Sequence, residues 1–254
     1  MRLFIAANLD DGSRAAVSAA IARFRARSER DRHGSTRGVG WVDARNLHLT
    51  LHFLGEIDEA RLPILSDVLA PALDLDAPRV ALAGWGVFPP RGPARVIWLG
   101  VTAGAGTLTS AQAVLGQRLR SAGITPDSRP FSPHLTVGRV RVPAGQYWNR
   151  LAAGMPPVPV GEWDLCACTL FQSHLSPAGP EYRALLSIPF AGAAGQAPTG
   201  AGGAVTIHPH GGARSRTRVT MADVSSGFMA RARGDRRLPH AGHETGPVEA
   251  RRAE

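Results

Sequence analysis

The sequence has little of what would mark a membrane or secreted protein. Its 254 residues contain no apolar run near the roughly 20 residues that a membrane-spanning helix needs, so no membrane association is expected. The opening segment, MRLFIAANLDDG, reaches acidic residues after a short apolar run and lacks the cleavage region of a signal peptide. A cytoplasmic location is therefore expected.

Cysteine is also scarce, since the chain has only Cys166 and Cys168, in the segment LCACTL. On a strand, side chains two positions apart share a face, but no further cysteine is available to complete a metal site. We interpret the pair as small core residues in a reducing compartment. Neither a metal ion nor another cofactor is expected.

Lysine is absent altogether, so all 29 basic residues are arginine, and the formal net charge is +9. Arginine matches the geometry of phosphate groups, and a basic surface attracts polyanions. A compositional bias of the genome would produce the same excess of arginine. The charge therefore permits a nucleic-acid partner without establishing one.

The composition changes sharply after Phe190, where Gly, Ala, Pro and Arg become dominant. Such a segment has too few large apolar residues to form a core, so residues 191–254 are predicted to be a disordered tail. Its nine arginines and five acidic residues contribute +4 of the net charge. Residues 1–190 are predicted to form the folded domain.

Within the predicted domain, a strand–helix–loop–strand unit occurs twice. The first unit has the strand RLFIAANL and a helix that begins near Asp10. The second has the strand RVIWLGV and a helix that stops at Gly123. Further strands are predicted at 79–88, 162–171 and 182–190, so an α+β fold of two similar lobes with mostly antiparallel strands is expected. The apolar residues at helical spacing are Val17, Ile21 and Phe24 in the first helix and Leu108, Leu115 and Leu119 in the second.

Each unit ends in a strand that carries the tripeptide His-Leu-Thr, first in NLHLTLHFLG and then, 86 residues later, in SPHLTVGRV. Because side chains alternate between the faces of a strand, the leucines share one face, while His48, Thr50 and His52 occupy the other. In the second copy His134 and Thr136 lie opposite Leu135 and Val137. If the lobes face one another, two His-Thr pairs converge on one cleft.

Two histidines in one cleft suit the hydrolysis of a phosphodiester without a metal. A neutral imidazole can deprotonate water while a protonated one gives its proton to the leaving oxygen, and histidine populates both forms near neutral pH. Threonine hydroxyls and an arginine can stabilise the charge on the phosphate oxygens. One His-Leu-Thr strand alone is typical of a structural role, but two copies at equivalent positions favour catalysis.

A zinc site is a further hypothesis, because His48 and His52 are four residues apart. That spacing brings two histidines together on a helix, whereas the alternating leucines here indicate a strand. No Glu lies between the two histidines. We therefore rank zinc well below acid–base catalysis.

The sequence resembles the two-histidine (2H) phosphoesterases, whose mark is one His-x-Thr-x motif in each lobe. The more specific resemblance is to the bacterial RNA 2′,3′-cyclic phosphodiesterases, also called 2′-5′ RNA ligase-like proteins. It extends over residues 2–190 and is carried by RLFIAANL, LHLTLHFLGEI, FSPHLTVGRV and LFQSHLSPAGPEYRAL. The resemblance implies a bilobal, pseudo-twofold 2H phosphoesterase fold in which two mostly antiparallel sheets flank a central basic cleft, with helices outside.

The resemblance also implies roles for individual residues. His48 would donate a proton to the 3′-oxygen of a cyclic phosphate, and His134 would activate water, leaving a 2′-phosphomonoester. Thr50, Thr136 and Arg139 would bind the phosphate, although alternation places Arg139 on the wrong face unless a bulge lies near Gly138.

The sequence also suggests where four other residues near the motifs lie. Tyr182 is expected either to line the cleft or to pack within the first lobe. His52 is expected near the cleft or at a solvent-exposed edge. Phe53 and Trp98 are predicted, from alternation, to be core residues.

The predicted substrates are RNA ends with a 2′,3′-cyclic phosphate, such as tRNA fragments, or small cyclic nucleotides, and the protein is expected to be a monomer. One alternative keeps the site but makes the reaction 2′-5′ RNA ligation, or cleavage of another cyclic phosphate or of a 2′-5′ linkage. A second alternative is an RNA-binding module without turnover.

Overall fold

The computed structural model of the protein describes residues 1–31, 38–127, 129–142, 144–177, 179–191 and 193. The predicted tail lies outside the described residues, except for Ala191, which closes the last strand, and Ala193. Within the described part, no helix is both long enough and apolar enough to cross a bilayer.

The described chain forms ten strands and four α-helices. Short 3₁₀ helices at Ala44–Asn46 and Glu59–Arg61 precede β3 and α2. The helices are α1 (Asp11–Arg30), α2 (Leu62–Leu69), α3 (Ala105–Ser121) and α4 (Tyr147–Ala153). The strands are β1 (Arg2–Asn8), β2 (Val39–Trp41), β3 (His48–Glu56), β4 (Leu73–Asp76), β5 (Arg79–Phe88), β6 (Val96–Ala103), β7 (His134–Val140), β8 (Pro159–Asp164), β9 (Ala167–Ser176) and β10 (Gly179–Ala191).

The strands follow one another in the order β4-β10-β9-β1-β3-β7-β6-β5-β8, and β2 pairs with β7. The fold is thus α+β with mostly antiparallel strands, as predicted, and these strands form one open sheet. Two separate sheets are not confirmed, because β3 and β7 are connected through the residue pair Leu49–Leu135. We call the strands from β4 to β3 the first lobe and those from β7 to β8, with β2, the second lobe.

The two long helices form where the apolar periodicity predicted them. The carboxylate of Asp10 accepts a hydrogen bond from the backbone N–H of Ser13 at 2.7 Å, which caps α1. Helix α3 is followed by Gly123 at φ +68°, a left-handed conformation that suits glycine. The six apolar residues predicted to face inward are all buried: Val17, Ile21, Phe24, Leu108, Leu115 and Leu119.

Each long helix packs against the lobe that does not contain the strand preceding it. Helix α1 follows β1 of the first lobe, yet its Ser13 hydroxyl donates to the Glu162 carbonyl of β8 at 3.1 Å. Its Phe24 ring stacks 4.3 Å from the Trp85 ring of β5. Helix α3 follows β6 of the second lobe, and its Arg118 guanidinium donates to the Ala72 carbonyl beside β4 at 2.8 Å. The two lobes are therefore interlocked by exchanged helices.

The strand predicted at 162–171 is in fact two strands in different lobes. Strand β8 ends at Asp164 and pairs with β5, whereas β9 begins at Ala167 and pairs with β1. The chain crosses between the lobes at Leu165, whose backbone N–H donates to the Pro78 carbonyl at 2.9 Å. Of the two cysteines, Cys168 is a buried core residue of β9, and Cys166 precedes the strand and is half-buried.

Candidate active site

The two His-Leu-Thr tripeptides meet at the centre of the sheet. Leu49 of β3 pairs with Leu135 of β7 in antiparallel orientation, and both leucines are buried. The residues on either side of each leucine point to the opposite face of the sheet. His48, Thr50, His134 and Thr136, which are all half-buried, therefore share one face. A pseudo-twofold axis between the two leucines relates the two motifs.

Both histidines are oriented by the same kind of hydrogen bond. Nδ1 of His48 lies 2.7 Å from the carbonyl oxygen of Asn46, and Nδ1 of His134 lies 2.8 Å from that of Ser132. Because a carbonyl oxygen only accepts, each Nδ1 carries the hydrogen. Nε2 of each ring is therefore left to take up or release a proton toward a ligand.

The turn before His48 is itself anchored from two sides. The side-chain amide of Asn46 donates to the Pro180 carbonyl of β10 at 2.8 Å. The Arg14 guanidinium of α1 donates to the Ala44 carbonyl at 2.7 Å. Hydrogen bonds of this kind hold a ring in one orientation, as an acid–base group requires.

Each histidine strand contains a β-bulge at the same distance from its histidine. In β3, Thr50 pairs with Ala6 and His52 with Ile5, so Leu51 is the extra residue. In β7, Thr136 pairs with Trp98 and Gly138 with Ile97, so Val137 is the extra residue. A bulge reverses the alternation of side chains beyond it.

The first bulge overturns two expectations from simple alternation. His52 does not reach the cleft or a solvent-exposed edge: it is 3% exposed, and its Nε2 lies 2.7 Å from the Gln112 carbonyl oxygen of α3. Burial lowers the pKa of His52, although the bond to Gln112 opposes this. Phe53, predicted to be a core residue, is 51% exposed and lies on the cleft side.

The second bulge brings Arg139 onto the same face as His134. Arg139 lines a cavity together with His48 and Phe53. The pseudo-twofold axis relates Arg139 to Phe53 and relates Gly138 to His52. The bulge at Val137, next to Gly138, thus places Arg139 on the face that carries His134.

Aromatic rings surround His48. Phe4 lies 5.0 Å from it between ring centroids, and Tyr182 lies 5.4 Å from it with the two rings nearly perpendicular. Burial, opposed by the Asn46 carbonyl and aided by the charges of Arg139 and Arg14, lowers the pKa of His48 to about 4. Burial likewise raises the pKa of Tyr182. Tyr182 lies beside His48 and also packs against Phe4 of the first lobe, at 4.9 Å between ring centroids.

His134 has its own aromatic neighbours, Phe88 at 5.0 Å and Trp98 at 6.3 Å between ring centroids. Trp98 was predicted to be a core residue, but it is half-buried and lies beside the histidine. Its ring covers Gly86 of the neighbouring strand, where a Cβ would collide with the indole. Glycine at this position allows the close approach.

A cavity of about 450 Å³ adjoins His48 on the side of the first lobe. Its lining contains two arginines and several aromatic rings but no acidic residue. The sequence pattern did not reveal that Arg2, Phe4 and Phe53 line this cavity. The lining residues are Arg2, Leu3, Phe4, His48, Phe53, Gly55, Arg139, Ser173, Leu175, Pro180 and Tyr182.

Potential metal ligands are not grouped in the described part of the chain, where no three or more His, Cys, Asp or Glu side chains come together. His48 and His52, the pair considered for zinc, have their rings on different sides of the sheet. Their ring nitrogens also bond to different backbone carbonyls.

Comparison with known proteins agrees with this architecture. The family model described as LigT like Phosphoesterase matches residues 15–98 and again residues 99–182, so each match contains one His-Leu-Thr motif. An RNA 2′,3′-cyclic phosphodiesterase of Methanothermobacter thermautotrophicus is 34% identical over 184 residues, which are 72% of this chain and 95% of the relative.

Solved structures agree as well. The crystal structure of TT0787 of Thermus thermophilus aligns with a TM-score of 0.59 and 32% identity, covering 76% of this chain and 99% of that one. The structure of E. coli LigT complexed with 3′-AMP has the same fold, with a TM-score of 0.58 and 24% identity over 75% of this chain and 98% of that one. By its motifs, its fold and these matches, the chain belongs to the LigT-like family of 2H phosphoesterases.

Proposed function

We propose that the protein hydrolyses RNA 2′,3′-cyclic phosphate ends to 2′-phosphomonoesters. The observation that carries the proposal is the Leu49–Leu135 pair, because it brings His48 and His134 onto one face of the sheet. The names of relatives such as the RNA 2′,3′-cyclic phosphodiesterase of Methanothermobacter thermautotrophicus support the substrate class.

The two histidines divide the proton transfers between them. Nε2 of neutral His134 takes a proton from water as its oxygen attacks phosphorus. Nε2 of protonated His48 gives a proton to the 3′-oxygen as the P–O3′ bond breaks. The product carries a 2′-phosphate and a 3′-hydroxyl, and the histidines regain their starting forms by exchange with solvent. Proton transfers of this kind contribute about 10²–10⁴-fold each to rate.

Three further side chains stabilise the phosphate. The hydroxyls of Thr50 and Thr136 flank the histidines on the same face and donate to the non-bridging oxygens. Arg139 lines the cavity with His48. Its guanidinium neutralises the charge that develops on these oxygens. No metal ion is needed for these steps.

The proton on His48 is supplied when substrate binds. In the free protein its low pKa, about 4, keeps the ring neutral at pH 7. A phosphate anion beside Nε2 favours the protonated form and raises this pKa. His48 is thus protonated in the complex with substrate, where it acts as the general acid.

The test is an assay on an oligonucleotide with a 2′,3′-cyclic phosphate, with products identified by phosphorus NMR in the presence of excess EDTA. We expect a 2′-phosphomonoester from the wild type and losses of about 10²-fold or more for His48→Ala and for His134→Ala. His174→Ala is the matched control, because His174 is exposed on β9 and does not line the cavity. Unchanged turnover by His134→Ala, or turnover abolished by EDTA, would contradict the proposal. Adding a 5′-hydroxyl RNA and looking for a 2′-5′ linkage separates hydrolysis from ligation.

A further inference from the structure

The cavity beside His48 contains a cation that the proposed chemistry does not use. Arg2, at the start of β1, lines this cavity and is exposed. Among the described residues, no carboxylate lies within ion-pair distance of its guanidinium. The carboxylate of Glu56, its partner residue on β3, lies 3.6 Å from the Met1 ammonium instead. An unneutralised cation in a cavity without acidic residues suits an anionic ligand.

The proposed reaction determines which part of an RNA end would enter this cavity. His48 protonates the 3′-oxygen, which remains attached to ribose, whereas the water at His134 carries no nucleoside. The ribose, its base and the chain on its 5′ side therefore extend from His48 and not from His134. The cavity lies on that side.

The distance along β1 from His48 to Arg2 is longer than one nucleoside. His48 pairs with Asn8, and Arg2 lies six residues back along the same strand, roughly 20 Å at about 3.3 Å per residue. Phe4 lies between them, and its ring is 4.9 Å from that of Tyr182 and 6.4 Å from that of Phe53. The cavity thus offers aromatic faces next to His48 and a guanidinium beyond them.

We propose that Arg2 binds a phosphodiester about three linkages to the 5′ side of the cyclic phosphate, so that the enzyme prefers an oligonucleotide end to a single cyclic nucleotide. This inference rests on the proposed function, since the direction of the RNA chain follows from the role of His48. An arginine fork is suited to two oxygens of a phosphate.

The experiment compares kcat/KM for three 2′,3′-cyclic phosphates: a nucleoside, a tetranucleotide, and a tetranucleotide whose internal linkages are uncharged methylphosphonates. For the wild type, we expect the charged linkages to raise kcat/KM by about tenfold, as for a charge-assisted hydrogen bond. The methylphosphonate should give little of this gain. Arg2→Gln should abolish the gain while leaving the nucleoside substrate within about twofold. In Arg2→Gln the slope of log(kcat/KM) for the tetranucleotide against log[salt] should also become shallower by about 0.7, as for one lost phosphate contact on a single strand.

Arg183→Gln is the matched control, since Arg183 is also exposed, follows Tyr182 in β10 and does not line the cavity. It should retain the full gain. The inference is overturned if the gain persists in Arg2→Gln, or if Arg2→Gln slows the nucleoside as much as the tetranucleotide. Hydrolysis of all three substrates without any effect of the linkage would refute the inference alone. A failure to hydrolyse any of them would refute the proposed function and, with it, the direction of the chain.

Discussion

Binding of a cyclic phosphate should be accompanied by uptake of a proton on His48. The free pKa of about 4 means that about one molecule in 10³ has a protonated His48 at pH 7. Protonating the ring there requires about 4 kcal/mol, at about 1.4 kcal/mol per pH unit. If His48 is the acid, the bound phosphate supplies part of this energy and the complex takes up a proton.

The measurement is isothermal titration calorimetry in buffers with different ionisation enthalpies, from pH 5 to 7.5. The protein is His134→Asn, which should bind without turnover, and the ligand is a 2′,3′-cyclic nucleotide, whose diester does not titrate in this range. We expect uptake approaching one proton at the acidic end, and affinity falling up to tenfold per pH unit wherever uptake is complete. The same titration with His48→Asn and His134→Asn combined should show no uptake.

Absence of proton uptake in His134→Asn at every pH tested would refute this reasoning. His48 would then remain neutral in the complex and could not be the acid. A neutral His48 beside bound phosphate would be a base, and the two histidines would have the opposite roles.

Three further outcomes are expected. Thr136→Val should lower kcat/KM by about 10–100-fold through the loss of a hydrogen bond to a charged oxygen, whereas Thr136→Ser should retain most of it. Gly86→Ala should lower the free energy of unfolding by about 1–3 kcal/mol in urea titrations, because its Cβ collides with Trp98, whereas at Gly106 an added methyl meets nothing. The pKa of His48 falls from 6.5 in the unfolded chain to about 4 in the folded one, so the unfolded chain binds the extra proton and stability is lost as pH falls through this window. Between pH 7 and 4 the wild type should therefore lose about 3 kcal/mol more than His48→Gln, and equal losses would contradict this explanation.

The periodicity of the sequence predicted the α+β class, the two long helices and the two histidine strands. Those features depend on local alternation and spacing, which the apolar residues display directly. The faces predicted from alternation were wrong beyond Leu51 and Val137, where each strand has a bulge. A bulge cannot be recognised from the sequence of one strand, because it depends on the register with the neighbouring strand, here β1 or β6. The errors at His52 and Phe53 have this one cause.

Other elements were not predicted because tertiary contacts decide them. The short β2, β4, α2 and α4 have three to eight residues each, too few for a clear period. The division of 162–171 between two lobes depends on which strands are available to pair at each end of the sheet. The aromatic rings of the cavity come from three strands, β1, β3 and β10, whose proximity the linear sequence does not display.

The exchanged helices have a consequence for the history and assembly of the fold. Each lobe is covered by a helix that follows a strand of the other lobe, as Ser13 on β8 and Arg118 beside β4 illustrate. A half-length chain with one His-Leu-Thr strand would lack β9, β10 and α3, which complete the first lobe, but two such chains could supply these elements to each other by a reciprocal swap. The chain thus has the form of a swapped homodimer joined into one polypeptide, in which both histidines of the candidate site are present only when both halves are.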